Sequence, residues 1–162
     1  MDPAFYIQNR RSIAAHLAAG DLMLFFSGEG VRKTADENYP FFTNRSFLYL
    51  TGVKQEQSAL LLHNHGGVVQ ERLFVLKPDP AQEIWTGRRF TDEELYAASG
   101  IAQIEAIDRL QRAIDGLLAA RAAATLWLCF DALAPERSFD LEREFAKSIR
   151  SRHPQAGIQN SY

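Results

Sequence analysis

Cysteine is almost missing from this chain. Cys129 stands alone, so no intrachain disulfide can form, and its setting TLWLCFD reads as a buried strand in which the thiol is structural, not nucleophilic. Long apolar runs are missing too. No stretch approaches the ~20 residues needed to span a bilayer, and the opening MDPAFYIQNRRS has no signal-peptide core, so the expectation is a cytoplasmic chain with no membrane partner. Neither sign of charge dominates: 18 Lys and Arg against 20 Asp and Glu leave a formal charge of -2, which gives no general attraction for nucleic acid. Repeats, low-complexity tracts and charge blocks are absent, so nothing marks an internal boundary. With 162 residues, 46% of them hydrophobic, residues 1–162 read as one domain around one core.

Catalytic signatures are scarce as well. No G-x-S-x-G elbow occurs, and the serines at 27, 46, 58 and 99 sit in turn or strand-start contexts. SGEG at 27–30 resembles a phosphate-cradling turn, but no Lys-Ser/Thr pair opens a helix behind it, so it reads as a plain loop. His63 and His65 have the spacing that can begin a metal site, yet they flank Asn64 just before Gly66 and Gly67, which predicts a solvated hairpin tip. His16, mid-helix, and His153, beside Pro154, read as surface residues without partners. Asp92, Glu93 and Glu94 are explained by the favourable placing of acids at a helix N-terminus. The residues alone therefore define no catalytic or metal-binding set in this chain.

What the sequence does contain is an alternation of helical and strand patterns, which predicts an α/β layered domain of roughly five strands and four helices. IQNRRSIAAHLAAG spaces Ile13, Ala14, Leu17 and Ala18 for a helix stopped by Gly20. LMLFF, 22–26, is a short continuous apolar run and predicts a central strand covered on both faces. SFLYLTG, SALLLHN and ERLFVLK predict three more strands, and TLWLCF another. TDEELYAASG offers a capping box, Thr91 with Glu94, closed by Gly100. Ile107, Leu110, Ile114, Leu117 and Leu118 share one helical face, as do Phe139, Leu141, Phe145 and Ile149. The ending QAGIQNSY has neither periodicity nor a stop signal and reads as an unstructured tail, as if cut from something longer.

Two segments stand above this background. DENYPFFTNRSFLYLTG, 36–52, gathers Tyr39, Phe41, Phe42, Phe47 and Tyr49. Core packing is the expectation for most of them, with Phe47 and Tyr49 on one strand face. PDPAQEIWTGRR, 78–89, sets Trp85 beside Arg88 and Arg89 in what its Pro and Gly content marks as an exposed loop. Trp and Arg are the types enriched where proteins make energetic contacts.

Taken in order, NRR at 9–11, YPFFTNRSFLYLTG at 39–52, LFVLKPDPAQEIWTGRR at 73–89 and the IDRL helix near 107 resemble the N-terminal domain of aminopeptidase P, the accessory domain shared in outline with prolidase and creatinase. The resemblance covers nearly the whole chain. It implies a mixed sheet of about five to six strands flanked by helices, ribonuclease H-like. It also implies a following catalytic domain, absent from these residues, with two divalent metal ions, commonly manganese, acting on the bond before proline. The accessory domain would be non-catalytic, would help form a homo-oligomer and would send residues towards a neighbouring subunit's site for Xaa-Pro peptides. Trp85 and Arg88 match the family's residues in their segment and are the substrate-facing or intersubunit candidates; Arg45 is a further one. A stand-alone peptide- or partner-binding module is the alternative, and a ribonuclease H-like nuclease is disfavoured because LMLFF carries no carboxylate.

Overall fold

LMLFF has no polar position to turn to water, and it forms the middle of the sheet. The structure is a computed structural model that describes residues 2–31, 33–34, 39–120, 125–130 and 141–161, apart from the side chains of residues 82, 85 and 86. In it β1, Leu22–Phe26, is buried at every position. It pairs antiparallel with β2, Ala59–His65, in the register Leu22 to His63 and Phe26 to Ala59. On its other side it pairs parallel with β5, Thr125–Leu128. β3, Val68–Val75, returns antiparallel along β2, and β4, Gln103–Ala106, joins β3 in parallel. β6, Gly157–Asn160, closes the far edge beside β5, giving the order β4-β3-β2-β1-β5-β6. Only β2 runs against the others, so the carboxyl ends of five strands share one edge of the sheet.

Side chains alternate across the pleat and divide the interior in two. Leu22, Leu24, Phe26, Leu61, Leu126 and Leu128 face α5, Leu110–Ala119, and α6, Leu141–Arg152, through Leu110, Ile114, Leu118, Ala146 and Ile149. Met23, Phe25, Leu60, Leu62, Leu73 and Val75 face the other way, under Phe47, Leu50 and Leu95. Those three come from α2, Arg45–Thr51, and α4, Asp92–Ser99. The predicted mixed sheet flanked by helices is what forms.

Local chemistry sets the helix ends. α1, Pro3–Ala14, starts on Asp2, whose carboxylate accepts from the Ala4 N–H at 2.9 Å, with Pro3 in the first turn where its missing N–H costs nothing. It stops at Ala14, ahead of the predicted stop at Gly20. α4 has the full capping box, Thr91 with Glu94, and Gly100 in the left-handed region at its end.

Four expectations fail here, each for a physical reason. SFLYLTG is a helix: Asn44 Oδ1 accepts from Ser46 and Phe47 N–H at 2.9 and 3.3 Å, and Gly52 at φ +70 ends the turn. Its buried residues Phe47, Leu50 and Thr51 follow helical spacing, while Tyr49 is 56% exposed and shares no face with Phe47. The exposed loop around Trp85 contains α3, Pro80–Thr86, because Asp79 caps it by accepting from Ala81 N–H at 3.0 Å and Pro80 opens it. The tail is β6, since Ala156 and Ile158 pack on the α5 and α6 core and the Ser161 N–H continues the ladder to the Leu128 carbonyl at 2.9 Å. Core packing also does not claim most aromatics of the 36–52 segment: Tyr39 is 54% and Phe42 84% exposed. Phe139 lies outside the described residues.

The NRR segment has a structural purpose. The last carbonyls of a helix have no partner within it, and α1 supplies two for α2. Asn9 Nδ2 donates to the Tyr49 carbonyl at 2.9 Å, and Arg10 Nη1 to the Leu50 carbonyl at 2.8 Å. Arg10 is fully buried, and its Nε donates to Glu71 Oε2 on β3 at 2.9 Å. One side chain thus joins α1, α2 and the sheet.

Candidate functional site

The carboxyl edge of the sheet carries the segments singled out from sequence. β1 leads into the SGEG loop, which is held by hydrogen bonds to the 56–58 segment. The Ser27 N–H reaches the Ser58 carbonyl at 2.8 Å, the Gln57 N–H reaches the Gly28 carbonyl at 2.9 Å, and the Gly30 N–H meets Glu56 Oε2 at 2.9 Å. The chain then returns to α2, with the Asn44 N–H on the Ser27 carbonyl at 2.8 Å. Arg45, the first residue of α2, is exposed at this edge.

β3 leads into the second segment, and Gln55 ties it down. Its Nε2 donates to the Leu76 carbonyl at 3.0 Å and its Oε1 accepts from the Phe90 N–H at 3.0 Å. Arg89 is turned back towards the domain, with Nη1 on the Lys77 carbonyl and its N–H on Glu83 Oε1, both at 2.9 Å. Lys77 Nζ pairs with Asp92 at 2.6 Å. Gln55 and Glu83 escaped sequence reading, because polar residues that brace a loop have no spacing rule to betray them.

Arg88, unlike the half-buried Arg89, is exposed. Its Nη2 donates to Glu94 Oε1 at 2.6 Å, while Glu94 Oε2 accepts the Thr91 N–H at 2.9 Å. The Thr91 N–H first, and the Arg88 guanidinium second, hold the Glu94 carboxyl below its ordinary value of 4.5. Glu94 in turn raises the Arg88 pKa, through its hydrogen bond and then its charge. The capping residue of α4 therefore also orients an arginine, a second use that the capping-box pattern alone does not signal. Trp85 lies on α3 just ahead of Gly87, and its side chain is outside the described part of the structure. Arg45 and Arg88 share the sheet edge but stand on different elements, α2 and the link between α3 and α4. Beside the SGEG loop, Val31, Tyr39 and Phe42 are exposed around a shallow apolar cleft of about 360 Å³ completed by Glu29, Pro40 and Phe41.

Two histidines differ from expectation. β2 runs on to His65, so His63 is inside the strand opposite Gln70, 2% exposed, and only the Gly66–Gly67 turn forms the hairpin tip. His153 is 9% exposed, and its Nε2 lies 2.9 Å from Asp115 Oδ1, tying the end of α6 to α5. Among the described residues no group of three or more His, Cys, Asp or Glu is placed to hold a metal ion, and no helix is long and apolar enough to cross a membrane. What this edge offers is a contact surface: exposed aromatics, an oriented guanidinium and a second exposed arginine.

Residues 6–127 match the family described as aminopeptidase P, N-terminal domain. The chain belongs to that family. Among curated aminopeptidase P relatives, the Xaa-Pro aminopeptidase of Escherichia coli strain K12 is 29% identical over 120 residues, 68% of this chain and 26% of that protein. An aminopeptidase P structure from Bacillus anthracis superposes with a TM-score of 0.93 at 28% identity, covering all of this chain and 39% of that one. Aminopeptidase P from E. coli shares the fold at a TM-score of 0.76 and 20% identity. The chain thus spans about a quarter of the length of these curated relatives, which are hydrolases by name.

Proposed function

We propose that this domain is the non-catalytic N-terminal part of a Xaa-Pro aminopeptidase, which removes an N-terminal residue that precedes proline. The observation that carries this reading is the match to the family over 6–127, together with a superposition that uses the whole chain against 39% of a solved aminopeptidase P. In this reading the hydrolytic chemistry belongs to the catalytic domain of the parent protein, where two divalent metal ions, manganese foremost, activate water. The domain's own residues bind and orient. Arg88 meets a carbonyl or carboxylate of a short peptide with the guanidinium edge that Glu94 leaves open, Trp85 forms a wall, and Arg45 adds charge. These contacts reach a neighbouring subunit of a homo-oligomer.

The test is hydrolysis of Xaa-Pro peptides with added manganese by the parent protein and by the 162-residue chain. The parent is expected to release the N-terminal residue and the chain to release none. In the parent, Trp85→Ala and Arg88→Ala are expected to lower oligomer content or peptide turnover; for Trp85 the loss is that of a contact hot spot, about 2 kcal/mol or more. Hydrolysis by the chain alone would overturn the assignment, and unchanged assembly and kinetics in both variants would remove their contact role.

A further inference from the structure

At the end of the sheet opposite the candidate site, α1 and the β2–β3 hairpin leave a cleft of about 440 Å³ between them, within the range of small-ligand sites, about 300–1,000 Å³. Arg11, Ala14 and Ala15, at spacings of three and four, share one side of α1 and its C-cap, while Val69 and Glu71, two apart, share one face of β3. The two alanines carry only methyl groups, so the helix does not fill the space it overhangs. Ala14, Leu17 and Val69 make an apolar floor. Asn64 fixes the end wall, with Nδ2 donating to the Leu17 carbonyl and Oδ1 accepting from the Gly67 N–H, both at 2.8 Å.

Two charged atoms at this cleft are left over by the fold. Arg10 places both of its contacts with Glu71 on a single oxygen: Nε donates to Oε2 at 2.9 Å and Nη2 lies 2.9 Å from the same atom. Glu71 Oε1 has no hydrogen-bond partner among the described residues, and its side chain is 27% exposed. Arg11 is exposed, and its guanidinium makes no ion pair or hydrogen bond among the described residues. Arg10 already balances Glu71, so Arg11 leaves the cleft with a positive charge that calls for an anion, whereas Oε1 can only accept. A plain carboxylate would set its oxygens beside Oε1 with no donor to offer. A plain amine would stand beside Arg11 with no anion. A zwitterion with an apolar body answers both.

We propose that this cleft binds a free α-amino acid with an apolar side chain. Its carboxylate meets the Arg11 guanidinium, its ammonium donates to Glu71 Oε1, and its side chain covers Ala14, Leu17 and Val69. The reaction proposed above releases amino acids of this kind, so the site would register product; that link, and not the binding, rests on the proposed function.

The experiment titrates the isotope-labelled 162-residue chain with leucine and follows its amide NMR signals. Saturable shifts at Ala15, Asn64, Gly67 and Val69 are expected, with a Kd of about 1 mM or tighter. Leucinamide, which lacks the carboxylate, and 4-methylpentanoate, which lacks the amine, are each expected to bind at least about tenfold more weakly. Arg11→Met should weaken leucine binding by a similar factor at an unchanged urea midpoint, because the exposed side chain bonds to nothing in the fold. No saturable shift up to about 10 mM leucine, shifts confined to other residues, either analogue within about threefold of leucine, or undiminished binding by Arg11→Met would each overturn the proposal. Xaa-Pro hydrolysis by the parent protein is scored separately: an active parent beside a chain that ignores leucine sinks only this inference, whereas an inactive parent beside a chain that binds leucine sinks only the proposed function.

Discussion

Arg10 gives the sharpest test of what holds this domain together. The side chain is fully buried, with Nε and Nη2 each 2.9 Å from Glu71 Oε2 and Nη1 2.8 Å from the Leu50 carbonyl. Replacing it with Met keeps most of the aliphatic stem and removes the charge, so cavity formation is minor and the electrostatic loss dominates. Breaking one side of a buried pair costs about 3–5 kcal/mol. Glu71 is 27% exposed and recovers some hydration, which favours the lower end, whereas the Leu50 carbonyl is left buried without its donor, which adds about 1–3 kcal/mol. A loss of about 4 kcal/mol is expected, equivalent to about 8–16 °C in Tm for a domain of this size. Urea titration of the 162-residue chain reads it as a fall in midpoint at unchanged slope. The double variant Arg10→Met with Glu71→Met should recover part of the loss, because no unmatched charge remains. A loss below about 1 kcal/mol for Arg10→Met, or simple additivity in the cycle, would show that α1 is held by apolar packing alone.

Gly52→Ala should cost about 2–4 kcal/mol in the same titration, since φ is +70 and the added methyl would fall on the Tyr6 ring; a cost under about 1 kcal/mol would mean that Tyr6 simply swings aside. Thr91→Ala should destabilise by about 1 kcal/mol through loss of the α4 cap, read by the same midpoint shift, and an unchanged midpoint refutes the cap's role. Glu94 contributes in a pH-dependent way. Its folded-state pKa is lowered from 4.5, so its stabilisation is present above about that pH and is lost as the pH falls through the depressed value. The stability difference between wild type and Glu94→Gln should therefore shrink on acidification below 4.5, and a difference constant with pH would refute the linkage.

The parts of this fold that were legible in the sequence are those whose cause is local. The five-residue apolar run LMLFF, bounded by Asp21 and SGEG, is too short for a typical buried helix and fits a strand covered on both faces, and Leu110, Ile114 and Leu118 at helical spacing fit one buried stripe. The α2 segment was misread as a strand because its middle, and not its ends, was followed. Phe and Tyr favour strands and Leu favours helices, yet Asn44 and Gly52 bracket seven residues with the capping chemistry of a helix, and capping settles the matter where propensity is divided. β6 was hidden for a different reason. Four residues at a sheet edge, two of them exposed, carry almost no periodicity, and what makes them a strand is β5, about thirty positions earlier in the chain.

The same distinction governs the candidate site. Thr91 and Glu94 announce a helix start at three-residue spacing, but the Arg88 that shares Glu94 is visible only once Gly87 has ended α3 and turned the chain. Gln55 braces the same segment through Leu76 and Phe90, partners 21 and 35 positions away, and Arg10 meets Glu71 across 61. Local rules place the elements; the polar side chains that fasten one element to another are fixed by topology, which brings five strand ends to one edge. A residue that is polar, unremarkable in spacing and buried by a distant partner is therefore where sequence reading falls short. In this domain such residues hold the very loops that present Arg45 and Arg88. Loosening Gln55 should then disturb the presentation of Arg88 without touching it, since the Phe90 N–H loses its acceptor two residues beyond the guanidinium.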